Sequence, residues 1–165
     1  MNIIIDTREK MGFDLEFYGY DVIHRKLDTG DISIEGMEDF ISIDRKKSIS
    51  ELASNLFEDY TRFKKEMIRA KEISHFFLLF EFPLEYLLIY PHGSGIPKRK
   101  WPYLRATPRK MLERIKLLYD AYGVRCIFSK DREDAEQKCV DILQMVINGG
   151  NLDNIEFFLP EIKDE

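Results

Sequence analysis

Asp31, Asp44 and Lys46 are the residues of this chain whose types and spacing point most directly to chemistry. They lie in a stretch from Gly30 to Glu51 that reads as two short strands leading into a capped helix. Ile32 and Ile34 alternate with Ser33 and Glu35, the period of a half-buried strand. Glu35 to Asp39 supply a polar turn, and the return strand runs over about 40–46. Along it Phe40, Ser42, Asp44 and Lys46 share one face, while Ile41, Ile43 and Arg45 share the other. Asp44 and Lys46 therefore point the same way, and Asp31 starts the neighbouring strand. Two carboxylates and an ammonium converging on one spot are unfavourable unless a metal ion and a substrate phosphate complete the arrangement. Carboxylates are hard oxygen ligands that suit Mg²⁺, with Mn²⁺ as its substitute. A lysine at the next same-face position can hold an attacking water or stabilise charge in the transition state.

Other elements must position these groups. Residues 2–6 read as a buried first strand ending in Asp6-Thr7-Arg8-Glu9, and Val22 to Leu27 as a second strand, with a short helical piece around Phe13 to Tyr18. Ser48-Ile49-Ser50-Glu51 matches the S-x-x-E capping box, and Ile49, Leu52, Leu56, Tyr60, Phe63 and Met67 recur as one apolar stripe, predicting a helix from Ser48 to Lys71. Arg62, Lys65 and Arg69 occupy a separate face of it: a solvated face or a phosphate-contacting one. His75 to Phe82 is an almost continuous apolar run, hence a central strand, with Glu81 at its solvent-facing tip in preference to a place in the site. Pro83 to Leu88 reads as the beginning of a short helix. Thr107-Pro108 starts a helix that Gly123 stops; Val124 to Phe128 is a further strand, and a last helix begins near Asp131. The order of strands and helices argues an α/β fold with a central mixed β-sheet flanked by helices. Residues 149–165 form a C-terminal tail whose Ile155, Phe157, Phe158 and Leu159 are suited to docking and whose last residues fray.

The chain has 165 residues, one domain's worth, and its net charge of −5 conceals a regional split. Residues 1–44 carry 4 Lys/Arg against 11 Asp/Glu, residues 45–116 carry 16 against 8, and residues 117–165 carry 5 against 11. The middle of the chain is basic, and local field rather than total charge decides where a polyanion docks. Pro91 to Pro102 is a Gly/Ser/Pro-rich loop in which Lys98, Arg99 and Lys100 precede Trp101, the single tryptophan. Cations beside aromatic residues suit backbone neutralisation with base stacking, or a disordered surface loop anchored to the core by its Trp. No apolar run has transmembrane length, no signal-peptide pattern opens the chain, and Cys126 and Cys139 fit neither a metal spacing nor a disulfide framework. A reduced, intracellular setting follows as the expectation: the cytoplasm of a bacterial or phage-infected cell, or a nucleus.

Asp31, twelve intervening residues and then Asp44-x-Lys46 is the spacing of a PD-(D/E)xK nuclease core. Asp6-Thr7-Arg8-Glu9, Gly30-Asp31, Asp44-Arg45-Lys46 and Glu51 together resemble the nuclease domain of the XPF-type family, whose pattern is D-x-R-E, then G-D, then E-R-K followed by three residues and D. The resemblance covers roughly residues 1–147, and the domain is placed at 1–148. It departs in three places. Asp44 stands where the family has Glu, four residues rather than three follow Lys46, and Glu51 replaces Asp while also serving as the capping-box glutamate. The tandem helix-hairpin-helix domain of many members has no counterpart in 148–165.

The resemblance implies a restriction-endonuclease-like fold and a Mg²⁺-dependent DNA endonuclease acting on branched, flap or junction DNA in repair, recombination or phage DNA processing. Asp31, Asp44 and Asp6 would hold metal, Lys46 would act on water or charge, and Arg8 and Glu51 would complete the site. Arg45, Lys47, Arg62, Lys65, Arg69, Lys98, Arg99, Lys100 and Trp101 are the candidate DNA contacts, made without base reading. A homodimer or heterodimer is expected, without a membrane. Two other readings stand beside it: a non-catalytic DNA-binding or scaffold subunit, and a restriction-type nuclease cutting linear duplex at discrete sites.

Overall fold

The Ile- and Phe-rich runs become the strands of one mixed sheet with helices on both faces, in a computed structural model that describes residues 1–162. In chain order the strands are β1 (Asn2–Ile5), β2 (Asp21–His24), β3 (Ile32–Ile34), β4 (Ile41–Lys46), β5 (His75–Phe80) and β6 (Val124–Ile127). The helices are α1 (Ile49–Leu56), α2 (Tyr60–Ala70), α3 (Leu84–Leu88), α4 (Pro108–Tyr122) and α5 (Arg132–Ile147). Turns of 3₁₀ helix cover Leu15–Tyr18, Lys98–Tyr103 and Leu152–Asn154. The sheet order is β2-β1-β3-β4-β5-β6; β3 runs antiparallel to β1 and β4, and the remaining neighbours are parallel. This is the α/β architecture expected from the sequence.

Period-two alternation divides the core between the sheet's faces. Ile3, Ile5, Ile32, Ile34, Ile41, Ile43, Phe77 and Leu79 pack with residues of α5. Phe76, Leu78, Phe80, Val124 and Cys126 pack with residues of α1, α2 and α4. Cys126 and Cys139 are buried free thiols; burial pushes both up, Cys139 to about 12, so they pack as inert apolar groups. Among the described residues no helix is long and apolar enough to cross a membrane.

Three expectations about the elements change. The single helix over Ser48 to Lys71 is two helices. The Phe57 amide donates to Ala53 O at 3.1 Å and Ser54 O at 3.3 Å, the Asp59 amide donates to Ser54 O at 2.8 Å, and α2 starts afresh after Asp59. An acidic residue there suits the positive end of a helix. Leu52, Leu56, Phe63 and Met67 all stay buried across the break, which is why the apolar stripe did not reveal it. Glu81 is not at a solvent-facing tip: it is only 9% exposed and lies between arginines. The 91–102 segment is held by its own contacts, Trp101 Nε1 donating to Ile96 O at 2.9 Å and its ring meeting His92 edge-on.

The tail docks. Phe158 N donates to Cys126 O at 2.7 Å at the free edge of β6, while Ile155 and Phe157 pack toward the α5 side. The fraying expected for the last residues concerns 163–165, which lie outside the described residues.

Candidate active site

The twelve-residue interval between Asp31 and Asp44 is the length of the β3–β4 hairpin. Ile32 pairs with Ile43, and continuing that register sets Asp31 opposite Asp44, on the face that α1 and α2 cover. Asp31 is clamped by backbone: its N donates to Ile43 O at 2.9 Å, and its Oδ2 accepts from Arg45 N at 2.7 Å. Gly30 makes the approach possible. Its φ is +90°, and a Cβ there would meet Ser42 Oγ at 2.0 Å, a hydroxyl already donating to Thr29 O. At the end of β4, Lys46 Nζ stands 3.0 Å from Asp44 Oδ2 and 3.9 Å from Glu51 Oε1. Ser48 Oγ accepts from Glu51 N at 3.1 Å as the capping box requires, but the Glu51 carboxylate reaches Lys47 N at 3.3 Å rather than Ser48 N. Glu51 thus caps α1 and faces Lys46 with the same carboxylate.

Burial, and after it the charge of Asp44, pushes the Asp31 carboxyl up to about 9, with Glu9 adding to the effect and the Arg45 amide opposing it. Burial would lower Lys46, but Asp44 first, then Glu51 and Asp31, together outweigh it and hold the ammonium above its ordinary value. Asp44 Oδ2 is shielded from solvent, and the Lys46 ammonium is paired with it at 3.0 Å. Two facing carboxylates, one driven to keep its proton by burial and by the other's charge, with a single ammonium beside them, fit a hard divalent cation. Among the described residues no group of three or more His, Cys, Asp or Glu side chains forms a ready-made cage. Mg²⁺ accommodates this, because it commonly takes one or two carboxylates and keeps waters or phosphate oxygens in its other positions.

Asp6 and Arg8 join the cleft from the end of β1. Asp6 Oδ1 accepts from Arg8 N at 2.8 Å and Nε at 2.9 Å; Oδ2 accepts from Leu27 N at 2.7 Å and Arg8 Nη2 at 3.1 Å. Burial opposes ionisation, but the Arg8 and Leu27 hydrogen bonds prevail and hold Asp6 below the usual carboxylate value. Both oxygens are thereby engaged by protein donors, a geometry suited to support of the site. Arg8 also donates to Leu27 O at 2.9 Å, tying β1 to the segment that enters the Gly30 turn.

A cleft of about 320 Å³ opens over Asp6, Arg8, Asp31, Asp44, Lys46 and Glu51, with Arg62 and Arg69 on its α2 wall. Arg62 arrives already paired, its Nε to Asp59 Oδ2 at 2.7 Å and its Nη1 to Glu66 Oε1 at 2.7 Å, and Arg69 Nε donates to Thr29 Oγ1 at 3.3 Å. Lys65 is exposed and does not line the cleft. Lys47 does, with Nζ on Lys10 O at 2.8 Å. Lys98, Arg99 and Lys100 are exposed on a loop that meets α1 where Ser50 Oγ donates to Ser94 O. Trp101 is half-buried, and Tyr103 beside it is the freely exposed ring, at 84%.

Arg45 is a correction. Strand alternation turns its side chain away from the cleft into the α5 face, where it is fully buried over the Phe13 ring at 3.8 Å and paired with Glu81 at 2.9 Å and Glu9 at 3.5 Å. It has no surface to offer DNA. Conversely, Asn55 and Glu66 line the cleft and were not singled out from the sequence. Both were findable: Asn55 follows Glu51, and Glu66 follows Arg62, by four residues on a helix.

The sheet order, the hairpin and the cleft together define a mixed-sheet α/β fold, and the comparison of folds leads to particular proteins. No protein-family model and no curated protein sequence matches the chain. A solved structure of XPF from Aeropyrum pernix superposes with a TM-score of 0.67 at 22% sequence identity, covering 99% of this chain and 70% of that one. XPF from the same organism in complex with DNA gives a TM-score of 0.65 at 22% identity, covering 92% and 68%. The resemblance read from the motifs holds at the level of the fold.

Proposed function

We propose that the protein is a Mg²⁺-dependent DNA endonuclease that hydrolyses phosphodiester bonds in branched, flap or junction DNA. The observation that carries the reading is the facing of Asp31 and Asp44 beside a charged Lys46 in one cleft. Asp31 and Asp44 are the residues to hold the ion, and Mn²⁺ is the natural substitute. When bound, the ion neutralises charge developing on the scissile phosphate. Lys46, held as an ammonium, is a donor rather than a base, so it orients the attacking water through an N–H or stabilises a phosphate oxygen in the transition state. Asp6 fixes Arg8, Glu51 holds the start of α1 beside Lys46, and Arg62 and Arg69 furnish the positive wall for DNA backbone. Their engagement by Asp59, Glu66 and Thr29 means that DNA must compete for them. The DNA complex of the similar fold supports a DNA partner. The same reading takes the domain as residues 1–148, capable of pairing with a second such domain.

The test is incubation of fork, flap and linear duplex DNA with Mg²⁺ or Mn²⁺, with Asp44→Ala beside the parent. Structure-dependent cutting that falls on the order of a thousandfold in Asp44→Ala is expected. Cutting that the substitution leaves intact would sink the metal assignment, and discrete products from linear duplex would point to a restriction-type enzyme. A second reading, a non-catalytic DNA-binding subunit, draws on the lack of a three-carboxylate cage among the described residues. It predicts binding to the same DNA with no cutting under any divalent ion.

A further inference from the structure

One long stretch of the chain has cations and no acids. Between Glu85 and Glu113 there is no Asp or Glu, in a chain that holds 30 of them, while Lys98, Arg99, Lys100, Arg105, Arg109 and Lys110 all fall there. Arg109 pairs with Glu113 at 3.3 Å, at the end of the stretch. Lys98, Arg99, Lys100 and Arg105 are exposed and, among the described residues, meet no carboxylate. The cations of the cleft differ, since Arg62 is held by Asp59 and Glu66, and Lys47 by Glu9. Positive charge that no local carboxylate cancels is the charge a polyanion meets first.

The 3₁₀ turn over Lys98–Tyr103 arranges this charge around an aromatic ring. Three residues per turn bring positions i and i+3 onto one ridge. Trp101 and Leu104 share the inner ridge: Trp101 Nε1 donates to Ile96 O, its ring meets His92, and Leu104 packs against the core. Lys100 and Tyr103 share the ridge that faces water. Tyr103 is 84% exposed, and among the described residues its ring and hydroxyl have no partner. A lone exposed ring is ordinary on a protein surface. A ring held outward between an anchored Trp and an anchored Leu, with unpaired cations on the same turn, suits single-stranded nucleic acid. The cations take phosphates and the ring takes the face of a base. In a duplex each base is covered by its neighbours, so the ring has nothing to stack on.

The position relative to the cleft agrees. Ser50 Oγ, next to the cleft residue Glu51, donates to Ser94 O at 3.4 Å, and Arg105 Nη2 donates to Phe57 O at 3.4 Å. Residues 94–105 therefore run the length of α1, the helix that carries Glu51 into the cleft, and about one helix width, 10 Å, lies between segment and cleft. We propose that Lys98, Arg99, Lys100 and Tyr103 bind a single-stranded arm of the DNA substrate, with one base stacked on Tyr103 and the cations on the flanking backbone. This rests on the nuclease reading for the identity of the substrate. It makes Tyr103 rather than Trp101 the aromatic contact. Duplex is then attracted by charge alone, and a fork or flap by charge and ring together.

The experiment measures fluorescence anisotropy of a thymidine oligonucleotide, a fork and a blunt duplex, with Ca²⁺ in place of Mg²⁺. The proteins are the parent, Tyr103→Ala, Tyr103→Phe and the double variant of Lys98→Ala with Lys100→Ala. Tyr103→Ala should lose about tenfold in affinity for the oligonucleotide and the fork relative to duplex. Tyr103→Phe keeps the ring and should hold the parent's ratio. The double variant should weaken all three DNAs and flatten their salt dependence. An unchanged ratio in Tyr103→Ala overturns the inference, as does a loss shared equally by duplex or one that Tyr103→Phe repeats in full. Tyr103→Ala melting well below the parent would show that the ring serves the fold, and would overturn it too. Forks cut by the parent in Mg²⁺, with the ratio unmoved by Tyr103→Ala, leave the nuclease reading whole and remove this one. Forks bound with the expected ratios but never cut in Mg²⁺ or Mn²⁺ remove the nuclease reading and keep the single-strand contact.

Discussion

The two faces of β4 carry adjacent residues in opposite electrostatic states. On the α5 face, Arg45 lies with Glu81 at 2.9 Å and Glu9 at 3.5 Å, while Arg132 and Lys47 approach those same carboxylates from outside. Each charge meets its opposite. On the cleft face, one residue to either side, Asp44 faces Asp31, Asp31 is pushed toward its neutral form by burial and then by Asp44, and both carboxylates lie beside the one ammonium of Lys46, 3.0 Å from Asp44 Oδ2. One side gathers three cations around two carboxylates; on the other, two facing carboxylates and Glu51 share the ammonium of Lys46. A single strand therefore separates buried charges that the chain neutralises in full from those it leaves in excess. The criterion is whether the chain itself supplies the counter-charge, and burial alone does not decide it.

The largest expected effect is on the completed side. Arg45→Met should lower stability by about 3–5 kcal/mol, because it strands Glu9 and Glu81 at 7% and 4% side-chain exposure without their central cation. Urea denaturation followed by far-UV circular dichroism measures it. A loss below about 1 kcal/mol would mean that Arg132 and Lys47 already satisfy those carboxylates, and that the completed side is not held by Arg45.

Much of this contrast was legible in the sequence, because alternation along a strand needs no tertiary information. Asp44 and Lys46 on one face, Arg45 on the other, the hairpin between them and the capping serine all follow from residue type and period two or 3.6. What the chain alone did not disclose depends on partners far away in sequence. Arg45 looked like a surface cation until Glu81 and Phe13 were placed around it. Glu81 looked like a strand tip until Arg132 reached it from α5. The break between α1 and α2 was hidden because core-facing periodicity continues across it. Asn55 was passed over because a polar residue beside an apolar stripe draws no notice until the burial of its oxygen is known.

A smaller effect is expected where the open side is disturbed without touching its charges. Gly30→Ala places a Cβ at φ +90° and within 2.0 Å of Ser42 Oγ, so the turn must shift and carry Asp31 with it. Strain of this kind costs about 1–3 kcal/mol. Because Asp31 hangs on the Ile43 and Arg45 backbone beside this turn, DNA cutting should suffer more than stability does. Equal parental rates in Gly30→Ala, measured on the same flap DNA, would show that the distance between the carboxylates is not what the glycine protects.

The smallest effect runs in the opposite direction. Asp31→Asn keeps an oxygen for the Arg45 amide and removes the charge that faces Asp44, so the metal-free variant should be more stable than the parent near pH 8. The sign follows from linkage. Asp31 titrates near its ordinary 3.8 when unfolded and at about 9 when folded, so between those values the native state holds a proton that the unfolded state has released. The stability this proton represents is fully present below about pH 4 and is lost as pH rises through about 9. Asparagine cannot lose that proton, so the variant and the parent should melt alike at pH 4 and diverge steadily toward pH 9. Millimolar Mg²⁺ should raise the parent's melting temperature at pH 8 and leave Asp31→Asn nearly unmoved, narrowing the gap between them. Thermal melts at pH 4, 6 and 8 with and without the ion measure all three differences. A variant less stable than the parent at pH 8 would mean that the carboxylates of the cleft are as fully answered by the protein as those around Arg45, and the contrast between the two faces of β4 would be gone.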